Sequence, residues 1–353
     1  MKVAVVGATG AVGQQLLSIL AQRKFPVSEL LLFSSSRSVG KVISFAGRNH
    51  SCRELAPGCF EGVAFAFFDA SDAVSKEWVP QAARSGAWVV DNSATFRAHP
   101  EALLIVPEVN GELLDRRVAE GLPGKTELAR VIAGPNCSTA QLVVALKPLH
   151  DRFGLKRVVV SSYQSTSGAG AAAMKELVDQ LRAALDGKPL ITQAFAHQIA
   201  FNCIPQIGGV KEDAYTSEEQ KIHQESRILL GLPKLRITAT AVRVPTLACH
   251  GESVNVEFER PCAVDVAREV LRGHPGVIVQ DEPEKGVYPM GQTAPGSAVE
   301  CGAGRDGVYV GRIRQDASVD SGLNFWVVSD NLRKGAALNA VQIGERILLA
   351  VRR

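Results

Sequence analysis

The run Ala133-Gly134-Pro135-Asn136-Cys137-Ser138-Thr139-Ala140 sets a thiol directly after a helix breaker. The Gly-Pro pair ends whatever precedes it, and the residues that follow carry Leu142, Val143, Ala145, Leu146 and Leu149 at helical spacing. The pattern predicts a helix over 138–150 with Cys137 at its N-terminus. Unpaired backbone N–H groups and the positive end of the helix dipole favour a thiolate there, lowering a cysteine pKa from its free value of about 8.5. Cys137 is therefore a candidate nucleophile. A single cysteine is more often a small buried core residue, so the reading leans on its surroundings.

The start of the chain supplies the first of these. Met1-Lys2-Val3-Ala4-Val5-Val6 reads as a strand, Gly7-Ala8-Thr9-Gly10-Ala11-Val12-Gly13 as a tight turn, and 14–22 as an amphipathic helix. In that arrangement backbone N–H groups can approach a pyrophosphate that the helix N-terminus faces. The spacing is GxxGxxG rather than the commoner GxGxxG, and a glycine motif alone can be a simple turn. This one follows the first strand at once. The second strand, Leu30-Leu31-Leu32-Phe33, ends where NAD-selective sites place an acid, about twenty residues beyond the glycines. Ser34-Ser35-Ser36-Arg37-Ser38-Val39-Gly40-Lys41 stands there instead. Hydroxyls, a guanidinium and an ammonium without an acid suit a ribose 2′-phosphate, so NADP is expected over NAD. The plainer alternative is a solvated basic turn.

Composition bounds the setting. The chain of 353 residues can bury sizeable cores and suits two domains. Hydrophobic content of 46% and charged content of 21% are those of a globular protein. A net charge of +3 with no Lys/Arg-rich block argues against a nucleic-acid partner. Seven cysteines without CxxC or Cys/His metal spacing suggest a reducing compartment, with neither a disulfide framework nor a metal site. The chain enters a strand directly and has no long apolar span, so neither a signal peptide nor a membrane helix is expected, and the cytoplasm follows by default.

The elements that must position these groups fall into two patterns. Up to about residue 136, apolar runs at 63–68 and 87–91 alternate with a helix over 76–85, as buried parallel strands covered by helices do. Beyond it come a strand at 157–163, a helix at 171–185 and strand candidates at 235–244, 253–258, 308–314 and 325–328. Few helices separate these strands, which predicts a mixed α+β second domain. A helix over 332–351 is expected to return to the first domain, 122–130 reads as an exposed loop, and no repeat is visible. The fold class is α/β: a Rossmann-type dinucleotide-binding domain over 1–136 plus 331–353, and a mixed domain over 137–330.

Several further motifs occur in one order: Ser36-Arg37-Ser38, Asp91-Asn92-Ser93 with Phe96-Arg97, Val106-Pro107-Glu108-Val109-Asn110, Pro135-Asn136-Cys137-Ser138-Thr139, Tyr163-Gln164 with Ser167-Gly168-Ala169-Gly170, Ser217-Glu218-Glu219-Gln220-Lys221, Arg243-Val244-Pro245 with His250, and Ser329-Asp330-Asn331-Leu332. With the glycine turn, they make the chain resemble the aspartate-β-semialdehyde dehydrogenases, in their bacterial NADP-dependent branch, over essentially its whole length. It departs in having Ala133-Gly134 where the family more often has Ala-Asn, and in the 122–130 loop.

The resemblance implies reversible conversion of L-aspartate-β-semialdehyde, phosphate and NADP to L-4-aspartyl phosphate and NADPH, on the route to lysine, threonine and methionine. It makes Cys137 the nucleophile that forms a thioester, His250 the acid/base and Gln164 the group orienting the substrate. Arg243 would grip the substrate carboxylate and Glu218 its ammonium. Arg97, Asn136 and Lys221 would form the phosphate site. On the cofactor side it implies Gly7, Thr9, Gly10, Ala11 and Val12 at the pyrophosphate, Ser36 and Arg37 at the 2′-phosphate, and Ser167, Gly168 and Asn331 at the nicotinamide. By analogy the second domain, catalytic through Cys137, is also the dimerisation domain of a homodimer. Taken singly, His250 reads as a structural histidine and Glu218 with Lys221 as a solvated ion pair. Three rivals remain: an N-acetyl-γ-glutamyl-phosphate reductase, in which Glu218 would have no ammonium to pair; a glyceraldehyde-3-phosphate dehydrogenase-like enzyme, which would want an acid after the second strand; and a catalytically silent NADP-binding sensor.

Overall fold

The computed structural model describes residues 1–122, 126–294, 297 and 299–351. Two units emerge, Met1–Asn136 with Ala336–Arg353, and Cys137–Gly335. In chain order the first contains β1 (Lys2–Val6), α1 (Ala11–Gln22), β2 (Glu29–Phe33), β3 (Val42–Phe45), β4 (Arg48–Arg53), β5 (Phe65–Phe68), α2 (Asp72–Arg84), β6 (Trp88–Asp91), β7 (Leu103–Leu104), α3 (Pro107–Glu120) and β8 (Val131–Ala133). The second contains α4 (Cys137–Phe153), β9 (Leu155–Gln164), α5 (Ala171–Leu185), α6 (Ser217–Leu230), β10 (Arg236–Arg243), β11 (His250–Phe258), α7 (Val264–Arg272), β12 (Val277–Val279), β13 (Val308–Gln315) and β14 (Gly322–Ser329). The closing helix α8 (Leu338–Val351) belongs to the first unit.

The first unit is an eight-stranded sheet in the order β3-β4-β2-β1-β5-β6-β8-β7, parallel except for the β3–β4 hairpin. Its central strands are almost wholly buried, which parallel strands between helical layers must be. From β1 the chain goes to β2 on one side and later to β5 on the other. The C-terminal ends of β1 and β5 therefore flank a topological switch point, where open α/β sheets bind ligands. The hairpin escapes a pattern reading because β4 is polar, and its Ala46-Gly47 turn is marked only by positive φ values of 48° and 77°. The second helix starts earlier than the sequence suggests, since Ser71 caps it by accepting the Val74 N–H at 3.4 Å. The expected exposed loop at 122–130 differs too. Residues 123–125 lie outside the described residues, while Thr126 caps a 3₁₀ turn, Glu127–Arg130, whose Ala129 is buried. The C-terminal stretch opens as a π turn, Arg333–Ala337, before α8, which packs on α1 and α3. Arg346 fastens α8 to α3 through a two-pronged pairing with Asp115, both bonds 2.7 Å.

The second unit is a six-stranded mixed sheet, β10-β9-β11-β14-β13-β12. β9 runs parallel to β10 and antiparallel to β11, and β11 is antiparallel to β14. One face buries Val158, Val160, Val254, Val256, Leu323, Phe325 and Val327 beneath α4, which contacts β9, β11, β13 and β14. The other face carries polar or half-exposed side chains, among them Tyr163, Ser253, Asn255 and Trp326. Such alternation marks a sheet with one face on a core. No helix among the described residues is long and apolar enough to cross a membrane.

Candidate active site

Register sets the site in the second unit. Arg243 of β10 pairs with Gln164 of β9, Gln164 with His250 of β11, and His250 with Ser329 of β14. Directly opposed residues present their side chains on one face, so these four form a single row across the sheet. Cys137 starts α4 above that row, its Sγ 3.2 Å from His250 Nε2. The helix begins at Cys137 itself, one residue before the expected start, so the thiol lies in the first turn, where orphan N–H groups point.

His250 is fully buried. The Ser165 N–H donates to its Nδ1 at 3.1 Å, and a backbone amide can only donate. The neutral ring therefore carries its proton on Nε2, facing the sulfur; the tautomer is assigned from this network. Ser165 Oγ lies 3.3 Å from the same nitrogen and can donate to it as well. Burial first, and the Arg243 cation second, push the imidazole pKa down to about 3, the backbone of Cys249 opposing them. At neutral pH the ring is uncharged, and in this tautomer its Nε2–H can donate a hydrogen bond to a Cys137 thiolate.

Arg243 is buried, its Nη1 donating to the Ser165 carbonyl at 2.7 Å. Burial lowers its pKa, opposed by the charges of Cys137 and Glu218. Gln164 donates through Nε2 to Ser162 Oγ at 3.2 Å and to Glu218 Oε1 at 3.3 Å. Glu218 sits in the first turn of α6, and Lys221 reaches its Oε2 at 3.4 Å. That helix starts with a capping box in which Thr216 and Glu219 satisfy each other's backbone, holding Glu218 in place. Cys137, His250, Gln164, Arg243, Glu218 and Lys221 are thus linked through one another within one unit. A thiol beside an imidazole, with a buried cation and an acid flanking it, can support covalent catalysis on a substrate bearing both charges.

Two semialdehyde dehydrogenase profiles match the chain, one described as the NAD binding domain over residues 2–117 and the other as the dimerisation domain over 146–334. An aspartate-semialdehyde dehydrogenase of Aquifex aeolicus is 46% identical, the match covering 98% of each chain. One from Bacillus subtilis is 43% identical over 98% of this chain and 97% of its own. The chain belongs to the aspartate-semialdehyde dehydrogenase family. Among solved structures, aspartate semialdehyde dehydrogenase II of Vibrio cholerae, complexed with ASA, has a TM-score of 0.89 at 40% identity, covering 99% of this chain and 98% of that one. Membership makes this chain an oxidoreductase with a nicotinamide dinucleotide domain.

Within this family member, the other residues singled out by sequence lie as follows. Ser167 and Asn331 are buried and bonded to each other, and Asn331 Oδ1 also accepts from Ser165 Oγ and the Cys249 N–H. Gly168 is exposed beside them; a Cβ there would stand 2.8 Å from Arg243 Nη1 and 3.2 Å from His250 Nε2. In the first unit, Arg97 donates to the carbonyls of Asn92 and Gly134 at 2.7 and 2.9 Å, and Asn136 is buried. Ser36 and Arg37 are exposed in a 3₁₀ turn after β2.

The glycine turn fits a dinucleotide pyrophosphate. Gly10 caps α1 with no side chain, and α1 has no acid in its first turn. Gly7, at φ 87°, and Gly13 pack so tightly that a Cβ on either would strike backbone. Thr9, Ala11 and Val12 line the same turn, only partly buried. Sequence reading did not single out Ser165, Gly335 or Glu252. Their types are ordinary, and the local signals around Gly335 read as plain helix. Yet a Cβ on Gly335 would lie 2.8 Å from Cys137 Cβ, and Glu252 is fully buried one strand repeat beyond His250.

Proposed function

We propose that this chain catalyses the reversible, NADPH-dependent reductive dephosphorylation of L-4-aspartyl phosphate to L-aspartate-4-semialdehyde and phosphate, through a thioester on Cys137. The observation that carries this reading is the 3.2 Å approach of Cys137 Sγ to His250 Nε2 above the row holding Gln164 and Arg243, in a chain of this family. Attack of the Cys137 sulfur on the acyl carbon forms the C–S bond as phosphate leaves with the C–O electron pair. His250 holds the exchangeable proton at Nε2, beside the sulfur, where it can support a thiolate and later serve the hemithioacetal oxygen. Gln164 orients the acyl carbonyl, Arg243 grips the substrate carboxylate and Glu218 faces its ammonium. Arg97, Asn136 and Lys221 receive the phosphate. The NADP dinucleotide, when bound, supplies or accepts hydride.

NADP rather than NAD is proposed because Ser36 and Arg37 follow β2 where an acid would select the ribose hydroxyls. Gly7, Thr9, Gly10, Ala11 and Val12 would hold the pyrophosphate, with Ser167, Gly168 and Asn331 on the nicotinamide side. The ASA in the Vibrio cholerae structure supports the substrate assignment. A homodimer acting in the cytoplasm completes the reading. It is supported by the dimerisation-domain match and by the sheet face on which Tyr163 is exposed and Trp326 half-buried. The test is NADP reduction with aspartate semialdehyde, with and without phosphate. NADPH formation that requires phosphate is expected; turnover indifferent to phosphate, or absent, would sink the proposal.

A further inference from the structure

An acidic side chain stands beside the glycine turn of the first unit. Asp69 follows β5 directly, its N–H bonded to the Val6 carbonyl at 2.9 Å, which brings it to the switch point between β1 and β5. Its backbone carbonyl lies against Gly7 so closely that no Cβ could be accommodated there, and its Oδ2 is 3.7 Å from where a Cβ on Gly10 would be. Gly10 is the cap residue of α1 and offers no side chain to the helix. The Gly13 N–H, third in the helix, is near enough to favour the charged form of Asp69. An N-cap side chain normally bonds the N–H at that position. The Asp69 carboxylate therefore stands beside the N-terminus of α1, reached from a neighbouring strand, on the spot where a pyrophosphate would take up the helix N–H groups.

We propose that Asp69 couples dinucleotide binding to proton uptake: its carboxylate stands ionised beside the helix N-terminus in the free protein and is neutralised when the pyrophosphate is seated there. The inference rests on the cofactor reading given above. Two anions cannot share one set of N–H donors without one losing its charge or its place. The surroundings leave Asp69 easily protonated. Burial is the main cause, opposed by the Gly13 N–H and reinforced by the Asp91 charge, and its pKa is raised to about 6. The residues of the turn itself, Gly7 to Gly13, carry no ionisable side chain. Asp91, at the end of β6, is itself raised, mainly by burial, and is bonded by Ser75 and Ser93. Asp72, in the first turn of α2, accepts from the Ala94 N–H and Thr95. No cation among the described residues is bonded to Asp69.

Isothermal titration calorimetry of the full chain with NADP, between pH 5.5 and 8.5 in buffers of differing ionisation enthalpy, tests this without turnover. Wild-type protein should take up close to one proton on binding at pH 8, and its affinity should weaken about tenfold per pH unit above 6 relative to Asp69→Asn. At pH 8 the Asn variant should bind about 100-fold more tightly, with the uptake abolished. Titration of the 2′-phosphate affects both proteins alike and cancels in the comparison. Asp69→Ser, which removes the charge with a smaller side chain, should behave as the Asn variant does, and thermal melts show that each is folded. Identical pH profiles and proton counts in wild type and folded variants would overturn the proposal while leaving the cofactor reading intact. Loss of binding in both folded variants would overturn it as well, assigning Asp69 to holding the cofactor. Failure of wild type to bind NADP at any pH would overturn the cofactor reading and this inference together.

Discussion

At the scale of single residues, Cys137 and Arg243 separate chemistry from recognition. Cys137→Ala removes the only sulfur within reach of His250 Nε2 among the described residues, so turnover should fall by orders of magnitude while folding and NADP affinity stay nearly unchanged. A variant retaining a tenth of wild-type activity would refute a thioester. Arg243 is buried and already uses one N–H on the Ser165 carbonyl; its remaining donors form a planar fork suited to a carboxylate. Arg243→Lys keeps the charge and loses the fork. It should raise the Michaelis constant for aspartate semialdehyde about tenfold or more, roughly 1.4 kcal/mol, and hardly move that for phosphate. Arg97→Ala should do the reverse, and steady-state kinetics with each substrate varied in turn would expose any crossing of these effects.

At the scale of elements, the start of α4 is set by what lies against it as much as by its own sequence. Pro135 ends the preceding strand and Cys137 begins the helix, but the chain at Gly335 approaches so closely that a Cβ would come within 2.8 Å of Cys137 Cβ and 3.1 Å of its Cα. Gly335 lies in the π turn that leads into α8, and such turns recur at functional sites. Gly335→Ala must displace backbone. Overpacking of this kind costs about 1–3 kcal/mol, and the shift falls on Cys137, the proposed nucleophile. Alkylation of Cys137 by iodoacetamide and kcat should both drop at least tenfold in a variant that still melts cooperatively; unchanged alkylation would show that the close approach has no bearing on the thiol.

For the whole molecule, buried ionisable groups shape stability against pH. The native His250 resists protonation down to about pH 3, whereas an unfolded histidine titrates near 6.5. Over that window the unfolded chain binds more protons, so stability is complete above pH 6.5 and declines as pH falls toward 3. Glu252 has the opposite sign. Burial raises its pKa well above that of an exposed acid, Gln141 opposing, and neither carboxyl oxygen completes a hydrogen bond among the described residues. Its native form keeps a proton that the unfolded form releases, so its contribution is present below about pH 4.5 and is lost as pH rises. Glu252→Gln, isosteric with the neutral acid, should raise Tm at pH 8 and leave it little changed at pH 4.5. Melting curves across that range check the sign, and a lower Tm for Gln at pH 8 would mean that the ionised carboxylate is stabilising.

What the sequence by itself determined is what contiguous residues encode. The glycine turn after β1, the basic turn after β2, the thiol behind a Gly-Pro breaker and the change from alternating to mixed elements all depend on neighbours a few positions apart. Periodicity and turn chemistry speak there directly. Weak local signals hid the polar β4 and the start of α3, where Asn110 replaces backbone bonds through Val106 and Leu104. Tertiary structure alone decided that Cys137 meets His250 across 113 positions, and that Arg243, Gln164, His250 and Ser329 share one row. It also decided that the Asp69 carboxylate stands beside a helix it does not precede, that Gly335 abuts Cys137 and that Ser165 sets a tautomer. Resemblance to a family could name the row's members, but not their contacts. Strand register and helix docking arise from packing the whole core at once, and a one-residue slip would turn each of these side chains to the other face.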